Sequence, residues 1–272
     1  TNIDATSTKY WDDADDAGGA TGDKYNDDND LTPTGNNEGF LPIGNDSIKF
    51  TGEYDGAGYS ISGLTIKRTS TQNVGLFGYA NNATIRNLGV TNDNITVNEN
   101  GEITFSRSVG SLVGRTTSTI IDNCSASGIV VSNGLSAGGL VGYPYSNTII
   151  RNSYSTVSVN GGSGYFVGGL VGYIYGTTLL NSYSSGSVVA SSTYRGGLVG
   201  YKHHSSTITD SFYDNTTSGQ SDTGKGTGKT TAQMKTLATF TDTATTGLST
   251  SWDYNNIWEI DTSGTINGGY PY

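Results

Sequence analysis

Residues 138–152 read G-G-L-V-G-Y-P-Y-S-N-T-I-I-R-N. A β-forming pair, Leu140 and Val141, is boxed by glycines, and a second β-forming run, Thr148 to Ile150, ends on Asn152. Glycine supplies the sharp corner and the close backbone approach that a side chain would block. Outward from this stretch the pattern recurs. G-L-F-G-Y opens at Gly75, G-S-L-V-G-R at Gly110, and G-G-L-V-G-Y returns at Gly168 and Gly196. Their leucines, Leu76, Leu112, Leu140, Leu170 and Leu198, are spaced by 36, 28, 30 and 28 residues. Self-similarity at such a period is the signature of a stacked repeat.

Each copy is followed by a second element. Aligned, these give an aliphatic column, Ile85, Ile121, Ile150, Leu179 and Ile208. Two residues on comes a polar column, Asn87, Asn123, Asn152, Asn181 and Asp210. A third β-like run closes several units, at 128–131, 156–159 and 187–190. No single unit can bury its apolar side, but stacking identical units about 4.8 Å apart lays Leu on Leu and Ile on Ile in a continuous thin core. Strand alternation would turn Leu140 and Val141 to opposite faces. The Asn column is expected to form a ladder bonded to the copies above and below. The fold expected is all-β: a right-handed parallel β-helix of six to seven rungs.

The G-G-L-V-G-Y units with trailing T-I-I-x-N resemble the GLUG repeat of bacterial and archaeal surface proteins. The opening F-L-P-I-G at 40–44, with F-T-G-E-Y-D-G-A-G-Y-S-I from Phe50, is similar to the segment that precedes such repeats. W-D-Y-N-N-I-W-E-I from Trp252 and the final G-G-Y-P-Y resemble the segment that closes them. The resemblance covers residues 40–272. It implies an adhesin-like surface β-solenoid related to the passenger regions of IgA-protease and haemagglutinin-type proteins. The longer first spacing departs from the family's period and predicts a protruding loop around 92–107.

Composition fits this reading. There are 40 Gly, 18 Tyr and only 4 Pro in 272 residues, with charged residues at 14%. A net charge of −10 argues against nucleic acid, which is held by Lys and Arg. No apolar run approaches the roughly 20 residues that span a bilayer. No signal peptide is present, and a first residue of Thr rather than Met suggests a mature or excised segment of a secreted, cell-surface protein. The lone Cys124 falls in the column of Leu64 and Leu88, so it reads as a small buried side chain.

The division expected is an acidic arm at 1–39, the solenoid at 40–214, and a linker with a C-terminal cap at 215–272. The arm holds nine Asp, among them Asp12, Asp13, Asp15, Asp16, Asp28 and Asp30, which make it a candidate oxygen-ligand Ca²⁺ site as well as a solvated acidic stretch. Its EF-hand-like start at 26–30 lacks the required Gly and Glu, with Leu31 and Asn37 in their places. The tail is expected to contain a short helix over 230–237, capped by Thr230 or Thr231, and to bury Trp252 and Trp258 over the open end of the last rung. T-G-K-G-T-G-K-T at 223–230 mimics a phosphate loop without its first Gly or a preceding strand, and reads as a flexible linker.

Tyrosine offers the most pointed site. Tyr79, Tyr143, Tyr173 and Tyr201 are equivalent, with Arg115 in the gap; Tyr145, Tyr175 and His203 form a second column, and Tyr154, Tyr183 and Phe212 a third. Such ladders pack, or present flat faces to a sugar or protein. His203 and His204 lack further ligands for zinc. The carboxylates of the repeats, Asp93, Glu99, Glu102 and Asp122, are too few and scattered for a glycosidase or lyase, so no enzyme is expected. Of five N-x-[ST] sequons, Asn94 in the expected loop is the best glycosylation candidate. The functions open at this point are an adhesive module binding glycan or a surface protein, a self-associating subunit of an extracellular filament or surface layer, and, less favoured, a carbohydrate-active enzyme.

Overall fold

The computed structural model describes residues 1–10, 38–68, 71–97 and 107–272. Among these the strands form three sheets, one of 14 strands and two of 5. Neighbouring strands are parallel and pair equivalent residues of successive repeats. Val113, Val141, Val171 and Val199 form one ladder. Ile85, Ile121, Ile150, Leu179 and Ile208 form another. Val130, Val159 and Val188 form a third. Parallel neighbours need a long crossover, and here the crossover is the remainder of the same rung. The chain is therefore all-β, coiled like a β-helix.

One five-stranded sheet contains Asn73–Val74, Ser108–Val109, Ser136–Gly138, Phe166–Gly168 and Arg195–Gly196; it is called the glycine sheet below. The other contains Phe77–Asn81, Val113–Thr117, Val141–Tyr145, Val171–Ile174 and Val199–Lys202, the tyrosine sheet. The two press together at backbone distance. A Cβ at Gly142 would lie 2.5 Å from the Val109 nitrogen, and one at Gly200 would lie 2.4 Å from that of Val167. This is why the repeat keeps a Gly after Leu-Val.

The leucine column is buried, as its period demands, but Val141 is equally buried, against the expected alternation. Leu140 sits in the bend between Ser136–Gly138 and Val141–Tyr145, outside either strand, so period-two geometry does not govern the pair. Ile150 is fully buried between Ile121 and Leu179. An Ile150→Asp variant is expected to lose upwards of about 4 kcal/mol and to unfold or aggregate, because the carboxylate has no partner in the stack. Wild-type-like thermal denaturation would contradict this register.

The polar column marks a corner. Asn87, Asn123, Asn152, Asn181 and Asp210 have φ of 53°, 52°, 50°, 45° and 48°. Asn and Asp are the non-Gly residues that tolerate this left-handed region best. The expected continuous Asn ladder is only partly made. Asn123 Nδ2 donates to Asn87 Oδ1 at 2.9 Å, but Asn152 Nδ2 turns to Asp122 Oδ1 at 2.8 Å, because a carboxylate on the rung below is the stronger acceptor. The unbroken ladder runs one residue on, inside the coil. Ser153, Ser182 and Ser211 accept from the amides of Cys124, Ser153 and Ser182 at 3.1–3.2 Å, and donate to the carbonyls of Arg151, Leu180 and Thr209 at 2.7–2.8 Å. Cys124 occupies the same column, paired with Leu88.

Three expectations about the connecting segments are corrected. Asn94 lies in the strand Thr84–Val97, paired with Thr65 and Ile129, rather than in a protruding loop. Ile95 and Val97 alternate into the core and carry the strand onward. Residues 98–106, the remainder of the longer spacing, lie outside the described residues. Thr227–Lys229 is a strand paired with Phe212–Asp214, so the phosphate-loop mimic is not a free linker. Lys225 Nζ donates to the carbonyls of Arg195 and Gly200 at 2.7 and 2.9 Å, and Asp222 Oδ1 accepts from the Gly197 amide at 2.9 Å. This loop lies against the last rung. The tail lies along the flank instead: Trp258 packs on Tyr154 and Tyr183, and Trp252 on Tyr183 and Phe212, side chains of three successive rungs. A flank of large aromatics offers more area to bury than the narrow end of a thin coil. The helix Thr231–Met234 does form, with Thr230 as N-cap in a capping box with Gln233. At the other end Ile3–Asp4 pairs with Ile61–Ser62.

Candidate functional site

On the tyrosine sheet, Gly142 and Pro144 are buried, while Tyr143 and Tyr145 are half-exposed. Parallel register then stacks their equivalents. Tyr143 and Tyr173 lie 4.8 Å apart and 8° from parallel, and Tyr201 meets Tyr173 edge-on at 5.4 Å. Tyr145 and Tyr175 stack at 4.9 Å, and His203 stacks on Tyr175 at 4.2 Å. Tyr143 touches Tyr145 edge-on at 5.8 Å, so the two columns form one surface. All six residues singled out from the sequence are brought together. Arg115, in the rung without a Tyr, lies over the rings of Tyr79 and Tyr143 at 5.0 and 5.6 Å. A cation between two aromatic faces keeps the row unbroken.

A third group was not anticipated. Phe166 meets Tyr173 and Tyr201 at 4.7 and 5.2 Å, and Tyr194 meets Tyr201 at 5.3 Å, both from the glycine-sheet side. The spacing of Tyr165 and Tyr194, 29 residues, carried the signal.

Besides Arg115, Lys49 places a positive charge over the Tyr79 ring at 5.2 Å. Burial, then the neighbouring Tyr173 ring, pushes the Tyr143 phenol up to about 12, against the pull of Arg115. Tyr173 is raised by burial and then by Tyr201. Partial desolvation and then His204 hold His203 below the usual imidazole range. The stacked rings cover one another's faces, so at neutral pH the flank presents ring edges and phenol hydroxyls, suited to hydrogen-bonding polar groups. Tyr154, Tyr183 and Phe212 form the third column but lie beneath the tail.

Among the described residues no group of three or more His, Cys, Asp and Glu could hold a metal ion. Asp12, Asp13, Asp15, Asp16, Asp28 and Asp30, with the Ca²⁺ reading placed on them, lie outside the described residues. Cys124 is buried, and burial pushes its thiol up to about 12, so it stays protonated. Among the described residues no helix is long and apolar enough to cross a membrane.

A coil that stacks one short unit per turn is a solenoid repeat protein. Its repeat is the GLUG motif, matched at residues 105–132, 133–160 and 163–189, one motif to each of three successive turns. The chain thus carries three GLUG repeats. It is 45% identical over 85 residues to a protein of Evansella cellulosilytica named a Gly-rich membrane protein, covering 30% of this chain and 9% of that one. It is 36% identical over 125 residues to the halomucin of Haloquadratum walsbyi, covering 45% of this chain and 1% of that one. The chain thus spans under a tenth of either relative. A crystal structure of a Bacteroides ovatus protein named an immunoglobulin A1 protease superposes with a TM-score of 0.44 at 24% identity, over 59% of this chain and 51% of that one. That likeness is too slight to bear on activity.

Proposed function

We propose that this chain is a non-catalytic module of a larger extracellular surface protein, binding glycan, or the glycan-bearing face of a partner, through its aromatic flank. In this reading the solenoid of residues 40–214 is a right-handed coil of six to seven rungs, 1–39 is an acidic arm and 215–272 a closing segment. The observation that carries it is the two-column surface of Tyr143, Tyr173 and Tyr201 beside Tyr145, Tyr175 and His203. Aromatic side chains supply large, rigid contact area at low entropic cost, and the parallel register sets their edges and hydroxyls in a regular row. The names of the relatives, a membrane protein and a halomucin, support a place at the cell surface.

A Tyr143→Ala/Tyr173→Ala double variant tests this. Glycan-array binding is expected to fall at least tenfold, with a stability loss of about 1–3 kcal/mol from the lost stacking. Binding that survives intact would remove the flank from function. The rival filament reading needs strand edges open to another chain. Lys225 and Asp222 occupy backbone groups at the last rung, which weighs against end-to-end addition there.

A further inference from the structure

We infer that a second, smaller site for a neutral saccharide lies in the cleft between the C-terminal tail and the Asn corner of the coil. The cleft measures about 330 Å³ and is lined by Asn87, Asn123, Tyr154, Ile257, Glu259 and Tyr272 among others. Its size falls at the low end of small-ligand pockets, about 300–1,000 Å³. It is built from two rigid sources. The Asn side chains are fixed by their left-handed backbone and by a chain of bonds, Asn123 Nδ2 to Asn87 Oδ1 at 2.9 Å and Asn87 Nδ2 to Asp55 Oδ1 at 3.0 Å. Opposite them, Glu259 and Tyr272 exchange two backbone hydrogen bonds, and the Tyr272 hydroxyl donates to Glu259 Oε2 at 2.8 Å.

The chemistry selects the ligand class. Asn123 spends one N–H on Asn87, which leaves its second N–H as a donor and its Oδ1 as an acceptor. Glu259 keeps Oε1 as an acceptor beside the phenol. Donors and acceptors in this mixture suit vicinal hydroxyls, each of which both donates and accepts. Tyr154 adds an aromatic wall, and its own far side is already packed by Tyr183 and Trp258. Anions are disfavoured. The lining carries a carboxylate, and the nearest guanidinium groups are committed, Arg86 to Glu53 and Asp55, and Arg151 to Asp122. The site is remote from the aromatic flank in residues and chemistry, so its failure would leave the flank reading standing.

The test is calorimetric and NMR titration of the full chain with neutral mono- and disaccharides, with a uronic acid and an amino sugar as controls. Neutral sugars are expected to bind at millimolar strength and the uronic acid not at all. Glu259→Gln, at an exposed position, should weaken binding at least fivefold without moving the melting temperature. Asn123→Gly, which keeps the left-handed corner and removes the amide, should weaken binding likewise, with a small fall in melting temperature from the lost bond to Asn87, while Tyr173→Ala should leave this affinity unchanged. The inference is overturned if no neutral sugar binds at tens of millimolar, if only the amino sugar binds, or if both cleft variants bind like wild type.

Discussion

A chain cut after Asn215 is expected to lose its cooperative melt and to aggregate. The segment removed holds Trp252 and Trp258 against Tyr183 and Phe212, and with Met234, Phe240, Leu248 and Tyr270 makes a second core beside that of the coil. It is fastened by polar bonds from both sides. The Asp210 carboxylate accepts from the Ser249 amide and, at 2.9 Å, from its hydroxyl; the Trp252 indole donates to the Asp210 carbonyl at 3.0 Å. Asp214 Oδ2 accepts from Thr231 and from Tyr270, each at 2.7 Å, and the Tyr183 hydroxyl donates to the Pro271 carbonyl at 2.6 Å. Truncation would bare Tyr183 and Phe212 and leave the buried Asp214 without those partners. Trp252→Ala alone should cost about 3–5 kcal/mol. Loss of the whole segment should exceed the 5–15 kcal/mol that typically holds a domain folded. Calorimetry and light scattering on the two variants check this. A truncated protein that stays monomeric with an unchanged melt would mean that the tail joins this chain to something else.

Much of this was legible because the coil repeats. Five leucines at a near-constant spacing place the turns, and the Ile and Asn columns place the strand and its corner, since any other register would mismatch every rung at once. What stayed hidden lies where one residue type serves two environments. Ser153, Ser182 and Ser211 are small and polar, and nothing in the sequence says that they turn inward to bond the amides above and below. Asp210 breaks the Asn column for a reason visible only after folding: both its oxygens accept from Ser249, far along the chain. The aromatic flank was readable because Tyr143 and Tyr173 recur in register. The saccharide cleft was not, because Glu259 and Tyr272 reach the Asn corner through the non-repeating tail, whose path no period predicts.

Asp93→Asn is expected to stabilise the protein at pH 8 and to flatten its dependence on pH. Asp93 is 3% exposed and pairs with Gly128, where a Cβ would lie 2.0 Å from Asp93 Oδ1; Gly128 is the space its side chain fills. Neither carboxylate oxygen makes a well-formed hydrogen bond among the described residues. Burial pushes the carboxyl up to about 7, and the nearby Ser111 hydroxyl and Ile129 amide reverse this only in part. The folded protein therefore keeps the proton until about pH 7, whereas the unfolded chain releases it near the ordinary value of 3.8. The stabilisation is fully present below pH 4, is lost as pH rises towards 7, and stays lost above. A displacement of this size corresponds to about 4 kcal/mol at most. Asn carries no charge at any pH, so the variant should regain on the order of 2–4 kcal/mol at pH 8 and differ little from wild type at pH 4. Urea midpoints of both proteins across this range isolate the effect, since every other titrating group is common to the two. A wild type that is no less stable relative to the variant at pH 8 than at pH 4 would show that Asp93 is ionised and satisfied in the fold.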